Sequence, residues 1–217
     1  MKKRFISVIL LSALVLLCAC GSSSASKPEV TPSETVDQFL KGIQDEDQDA
    51  IKKVYEENTF DLGAEAWDDD DDEEGMDTAM NKVLTDDFYP RLIDFEYKIG
   101  EEEVNGDEAT VKVDITTYKM GDAFVAGFKD FFAGAMDLYN SNASDEQVSK
   151  VMSEKLHKQI SALNKKEYKK TATFHLTKEK GVWVVEDMDD DENEAALNIL
   201  SGGMLDAENS IDRMTDD

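Results

Sequence analysis

The sequence predicts one α+β domain: a curved antiparallel sheet packed against N-terminal helices, with a helical hairpin inserted between two strand pairs. Three observations carry that expectation. Val36, Phe39, Leu40 and Ile43 fall at i, i+3, i+4 and i+7, the apolar stripe of a helix. Residues 93–99 and 109–115 alternate with period two on either side of Asn105-Gly106, a hairpin turn signal. Residues 122–165, between that hairpin and the next strand pattern, return to helical spacing.

The first helix has a defined start. Thr31 can cap it, Pro32 suits the first helical position, and Glu34 completes a capping box. After a polar break at 45–49, Ala50, Ile51, Val54 and Tyr55 make the stripe of a second helix. Residues 58–75 read as irregular. Met76, Met80, Val83 and Leu84 suggest a third, shorter helix, which Pro90 is expected to limit.

Ile93, Phe95, Tyr97 and Ile99 then form one face of a strand, and Ala109, Val111, Val113 and Ile115 the matching face of its partner. Phe124, Phe128, Phe131, Phe132, Ala135 and Tyr139 make a broad aromatic stripe on the next helix. Ser144 and Gln147 form a second capping box, followed by a long amphipathic helix through Val148, Met152, Leu156, Ile160 and Leu163. Ala172, Phe174 and Leu176 share one face of a third strand. Val182-Trp183-Val184-Val185 reads as a fourth, placed centrally because it is apolar on both faces. A last helix passes through Ala195, Ala196, Ile199 and Leu200 and ends at Gly202-Gly203. The expected domain therefore covers residues 31–203, with a loose acidic tail at 204–217.

The chain opens on Met1-Lys2-Lys3-Arg4, then a run from Phe5 to Leu17 broken only by Ser7 and Ser12. A basic start, a short apolar core and a small-residue exit describe a signal peptide over residues 1–19. The run is too short to span about 30 Å of hydrocarbon, which takes about 20 residues. Leu17-Cys18-Ala19-Cys20 resembles the bacterial lipobox, in which the last cysteine receives diacylglycerol. Cys20 fits that position better than Cys18, because Leu17 is too bulky beside a cleavage point. Each buried methylene is worth about 0.8 kcal/mol and stable anchoring takes two chains, which one diacylglyceryl group supplies. Residues 20–30 are then the lipidated cysteine and a flexible tether.

The two cysteines leave no thiol for the folded domain, so no disulfide and no cysteine metal site is expected there. Loss of Lys2, Lys3 and Arg4 with the leader leaves 20 basic against 49 acidic residues, a net charge of about −29. That excludes nucleic acid as a partner, and electrostatic attachment to anionic lipid with it. It fits a domain kept soluble by self-repulsion, with cation binding or attraction of a basic partner as the sharper alternative. Membrane contact falls to Cys20 alone.

Gly181-Val-Trp-Val-Val-Glu-Asp187 and the opening helices over Thr31–Tyr55 carry a resemblance to the nuclear-transport-factor-2-like fold. The chain is most similar to its export-linked branch, acidic lipoproteins of Gram-positive bacteria, many of unknown function. The helical insertion at 122–165 departs from the minimal fold. The resemblance implies a cone between sheet and helices that can hold a small apolar ligand or a peptide. It implies no activity, since the fold hosts enzymes, binders and assembly modules alike.

No catalytic motif is present, and no enzyme activity or cofactor is expected. Asp94 and Asp114 fall on the polar face of the hairpin, which suggests solvent. In the acidic block Asp68–Glu74, Asp68, Asp70 and Asp72 are a weak calcium candidate. With Gly75 at the sixth position of an EF-hand loop, position twelve is Asn81 instead of the bidentate Glu, so the motif fails and a solvated acidic loop is the simpler reading. His157 and His175 stand on a helix and a strand without metal spacing, and read as structural. Phe124, Phe128, Phe131, Phe132 and Tyr139 are the candidate ligand or partner surface, with core packing as the plainer alternative.

Overall fold

The computed structural model describes residues 29–57, 59–60 and 78–215. The expected leader, Cys20, the tether up to residue 28 and the acidic block with Asp68, Asp70 and Asp72 lie outside the described residues.

The first capping box forms. Thr31 Oγ1 accepts from the backbone of Glu34 at 3.2 Å, and Glu34 Oε2 accepts from the backbone of Thr31 at 2.9 Å. Helix α1, Pro32–Gln44, lays Val36, Phe39, Leu40 and Ile43 on the inner face of the sheet. Full burial of such side chains stabilises by about 1.5–3 kcal/mol each.

The second helix is shorter than its stripe suggests. Helix α2 is Gln48–Ile51, and Tyr55 belongs to an extended bridge. Val185 N–H donates to Val54 O at 2.8 Å and Glu56 N–H to Val185 O at 3.0 Å. Those sheet-type bonds outweigh the helical pattern of the sequence.

Pro90 does not end the third helix. Helix α3, Thr78–Val83, passes through a π-helical turn, Leu84–Phe88, into α4, Tyr89–Ile93, where Pro90 stands in the first turn. The π-helical turn before it, in which Tyr89 N–H reaches back to Leu84 O, shifts the ladder and absorbs the N–H that proline lacks. Ile93 therefore closes a helix instead of opening a strand.

The sheet has the order β1 (Glu96–Asn105), β2 (Glu108–Thr117), β3 (Tyr168–Glu179), β4 (Val182–Val185), all antiparallel. It is curved, and β1 carries a register shift between Ile99 and Glu102. Gly106, with φ +69°, opens the two-residue turn between β1 and β2. The inner face buries Val111, Val113, Ile115, Phe174, Leu176 and Val185, while Lys112, Asp114 and Thr171 face solvent. Strand β4 is an edge, not the central strand expected. Its apolarity has two sources: Trp183 and Val185 are core, and Val182 is exposed.

The inserted hairpin is α5, Met120–Asn140, and α6, Asp145–Ser161, with the capping box of Ser144 and Gln147 in place. It packs against the 78–93 run instead of closing over the sheet. A second core results, built on Val83, Leu84, Phe88, Leu92, Met120 and Leu156. Gly127 marks the crossing of the two helices, since a Cβ there would stand 2.7 Å from Leu156 Cδ2.

Helix α7, Glu194–Leu200, ends as expected at Gly202-Gly203, both at positive φ. Beyond it the loose tail is corrected. Residues Met204–Thr215 form helix α8, which buries Ala207 against the start of α5. The acidic residues of this segment stay on its outer side, so its charge never opposes the packing.

Candidate functional site

The bridge between Val54–Glu56 and Val185 fixes the side chain of Tyr55 between the two cores. Its ring stacks on Phe39, with centroids 5.1 Å apart, and meets Phe60 edge-on at 5.4 Å. The Tyr55 hydroxyl donates to Asp187 Oδ1 at 2.9 Å and accepts from Met188 N–H at 3.0 Å. Asp187 Oδ1 also accepts from Asp189 N–H at 3.1 Å, and Glu56 Oε2 accepts from Asp187 N–H at 3.3 Å. Burial, and after it the Asp187 carboxylate, pushes the Tyr55 hydroxyl well above its ordinary value, so it stays a proton donor.

Beside this group lies a cleft of about 670 Å³. Phe60, Phe88, Leu92, Leu197 and Met204 give it apolar walls, and Gln48, Tyr55, Glu57, Asp187 and Asp189 its polar side. It lies where the sheet core meets the second core: Tyr55 belongs to the first, Phe88 and Leu92 to the second.

The sequence-predicted surface lies elsewhere. Phe124 and Phe128 are half-buried in the second core, in a ring ladder from Phe88 (6.0 Å to Phe124) through Phe128 (5.2 Å) to Phe132 (6.2 Å). Phe131 is buried, while Phe132 is 41% and Tyr139 79% exposed. None of the five lines the cleft. Phe88, Leu92, Leu197 and Met204 carry no local signal for it beyond their apolarity. The pairing of Val185 with Tyr55 brings Tyr55 and Asp187 to one side of it, and the second core supplies Phe88, Leu92 and Met204.

Three polar clusters stand apart from the cleft. Lys166 Nζ contacts Asp94 Oδ1 at 2.6 Å while the Tyr118 hydroxyl donates to Asp94 Oδ2 at 2.9 Å. Burial opposes ionisation of Asp94, but these two partners outweigh it and hold the carboxyl below its ordinary value. His157 Nδ1 meets Asp87 Oδ2 at 2.6 Å, and Arg91 donates to Asp87 O, tying α6 to the π-helical turn. His175 Nδ1 lies 3.3 Å from Glu192, on the sheet face away from Phe174 and Leu176. Next to it burial, and then Glu192, raises the Glu186 carboxyl above its ordinary value. Asp114 is exposed and accepts from Thr171 Oγ1 at 2.7 Å. Among the described residues no group of three or more His, Cys, Asp and Glu is placed to hold a metal ion.

Among the described residues no helix is long and apolar enough to cross a membrane. No protein-family model matches the chain, and no curated protein matches it. Among solved structures it is similar to a Bacillus subtilis protein provisionally named a lipoprotein (ycdA), at 18% identity and a TM-score of 0.39. The alignment covers 76% of this chain and 46% of that one, so the chain spans about half the length of the protein it matches.

Proposed function

We propose that the chain is an exported lipoprotein, held at the outer face of a Gram-positive cell membrane by lipid on Cys20, and that its domain is a non-catalytic binding module of nuclear-transport-factor-2-like type. Its ligand is a small molecule with an apolar body, or a peptide segment, seated in the cleft beside Tyr55 and Asp187. The cleft itself carries this reading. A volume of about 670 Å³ with apolar walls and a few convergent polar groups is the form small-molecule sites take. The leader and the Leu17–Cys20 motif support the anchor. A second reading, docking of a partner or a second copy, is favoured by one observation: Phe132 and Tyr139 stand exposed on α5.

Two experiments test the proposal. Cys20→Ala should release the protein to the medium or leave the precursor uncut, and a cut but membrane-bound variant rules the anchor out. Native mass spectrometry of the full chain taken from its own membranes should reveal a co-purified ligand. A ligand at a hundred times its Kd should raise stability by about 2.7 kcal/mol. A bare protein that gains no stability from a lipid, amine and peptide panel removes the binding reading.

A further inference from the structure

We infer that the ligand of this cleft is a cation, an amine or guanidinium carried on an apolar body. The inference rests on the binding reading above and adds the ligand's charge and hydrogen-bonding character. It follows from an inventory of what the cleft can donate. The Tyr55 hydroxyl has one proton and gives it to Asp187. Ser201 Oγ donates to Asn198 O at 3.2 Å. Gln48 turns its amide onto the backbone of Phe60, with Nε2 donating to Phe60 O at 2.9 Å and Oε1 accepting from Phe60 N–H at 3.4 Å.

Thr59 Oγ1 and the second Nε2 hydrogen of Gln48 can still donate, but every charged group on the polar side is an acceptor. The charged residues of the lining are Glu57, Asp187 and Asp189, and no lysine, arginine or histidine stands among the described lining residues. Asp187 is held in one orientation through Oδ1, which takes both Tyr55 and the Asp189 N–H. Its Oδ2 takes no hydrogen bond among the described residues. A carboxylate fixed by one oxygen and open at the other, at the edge of an apolar wall, is complementary to a donor with positive charge. Charge-assisted bonds of this kind are about twice as strong as neutral ones. Tyr55 and Phe60 put two aromatic rings into the lining of the same cleft, surfaces that suit the apolar body of such a ligand. A carboxylate or phosphate ligand would meet three like charges and few free donors, so the same inventory selects against anions.

A matched set of three probes tests the inference: 4-phenylbutylamine, 4-phenylbutanol and 4-phenylbutyrate, which share one apolar body. Binding is measured calorimetrically on the full-length chain in zwitterionic nanodiscs, with empty discs as the blank. The amine should bind at least about tenfold tighter than the alcohol, and the butyrate weakest, as one desolvated charge contact requires. Asp189→Asn, at an exposed position, should weaken the amine several-fold and leave the alcohol unchanged. Asp187→Asn should do so more strongly. If Asp187→Asn fails to fold, Asp189→Asn decides alone. An alcohol or butyrate that binds as tightly as the amine, or an amine indifferent to Asp189→Asn, overturns the cationic ligand and leaves the cleft a binding site. If none of the three binds, the inference falls; if Leu197→Trp, which fills the cleft, also leaves the native mass spectrum of the membrane-purified chain unchanged, the binding reading falls with it.

Discussion

The side chain of Asn193 stands in for a strand beside His175. Asn193 Oδ1 accepts from His175 N–H at 2.9 Å, and Nδ2 donates to His175 O at 3.4 Å and to Glu186 O at 3.1 Å. The pairing of β3 with β4 stops at Leu176 and Val185, and beyond it Glu186 N–H still donates to His175 O at 3.1 Å, so the groups that depend on Asn193 are His175 N–H and Glu186 O. Asn193 is fully buried and opens α7 without capping it, because its amide is turned to the sheet. Buried backbone groups without partners cost about 1–3 kcal/mol each. Asn193→Ala should therefore lower stability by about 2–4 kcal/mol. Asn193→Asp keeps the acceptor for His175 but turns a buried carboxylate oxygen toward the carbonyls of His175 and Glu186, and should cost at least as much as alanine. Urea unfolding of the three proteins checks this. An alanine variant within about 0.5 kcal/mol of the parent would show that water replaces the amide.

Two glycines of α5 should respond to alanine in opposite directions. A Cβ at Gly121 would stand 2.1 Å from Gly203 O, where Gly121 N–H already bonds to Gly202 O at 3.1 Å. Both clashing atoms are backbone, so the α5–α8 joint must open, at a cost of about 2–4 kcal/mol. A Cβ at Gly134 meets nothing within 4 Å. There alanine only removes the helix penalty of glycine, and Gly134→Ala should gain about 0.5–1 kcal/mol. Thermal unfolding of the pair tests both signs together.

These positions show where the sequence is legible and where it is not. The capping boxes at Thr31 and Ser144, the turn at Gly106 and the alternation of β2 and β3 are local chemistry, and each appears in the structure as read. The misreadings have non-local causes. Tyr55 leaves its helical stripe for a bridge to Val185, 130 positions away in sequence. Pro90 is absorbed by a π-helical turn, and 204–215 becomes a helix because Gly203 turns Ala207 onto α5. The aromatic stripe is legible in the sequence, but its phenylalanines pack mainly inside the second core. The cleft was invisible, because Phe60, Leu92, Leu197 and Met204 meet only after both cores have formed.

Tyr55→Phe tests the bond that shapes the cleft. It leaves the buried Met188 N–H without its acceptor and Asp187 without its hydroxyl donor. A loss of about 1–3 kcal/mol is expected at neutral pH. The alkaline limb carries a second signature. The hydroxyls of Tyr55 and Tyr97 are both raised, burial being the larger cause in each. A raised folded pKa gives stability that is whole below the ordinary tyrosine value of about 10 and is lost as pH climbs past it. The phenylalanine variant should therefore start lower but decline less steeply above about pH 10. A parallel decline in denaturation midpoints would mean that Tyr55 ionises as freely folded as unfolded.

Glu186 and Asp94 should give the acid limb two slopes of opposite sign. Glu186 is raised by burial and then by Glu192, with His175 opposing. Folding therefore favours its protonated form. Its contribution is whole below the unfolded carboxylate value of about 4.3 and is lost as pH rises through the folded one. At neutral pH the charged Glu186 costs stability, so Glu186→Gln should raise the melting temperature there by about 2 °C. That gain should vanish near about pH 4. Asp94 is the reverse case. Lys166 and Tyr118 hold its carboxyl low against the opposing effect of burial, so its stability is present above the unfolded value and is lost as pH falls through the folded one. Asp94→Asn should destabilise at neutral pH and converge on the parent in acid. Asp94 is half exposed to solvent, which screens the pair and keeps that loss small. Melting curves of both variants across the acid range separate the cases. If Glu186→Gln lies below the parent at neutral pH, the Glu186 carboxylate is held by a partner instead of strained by burial, and the sign of its slope inverts.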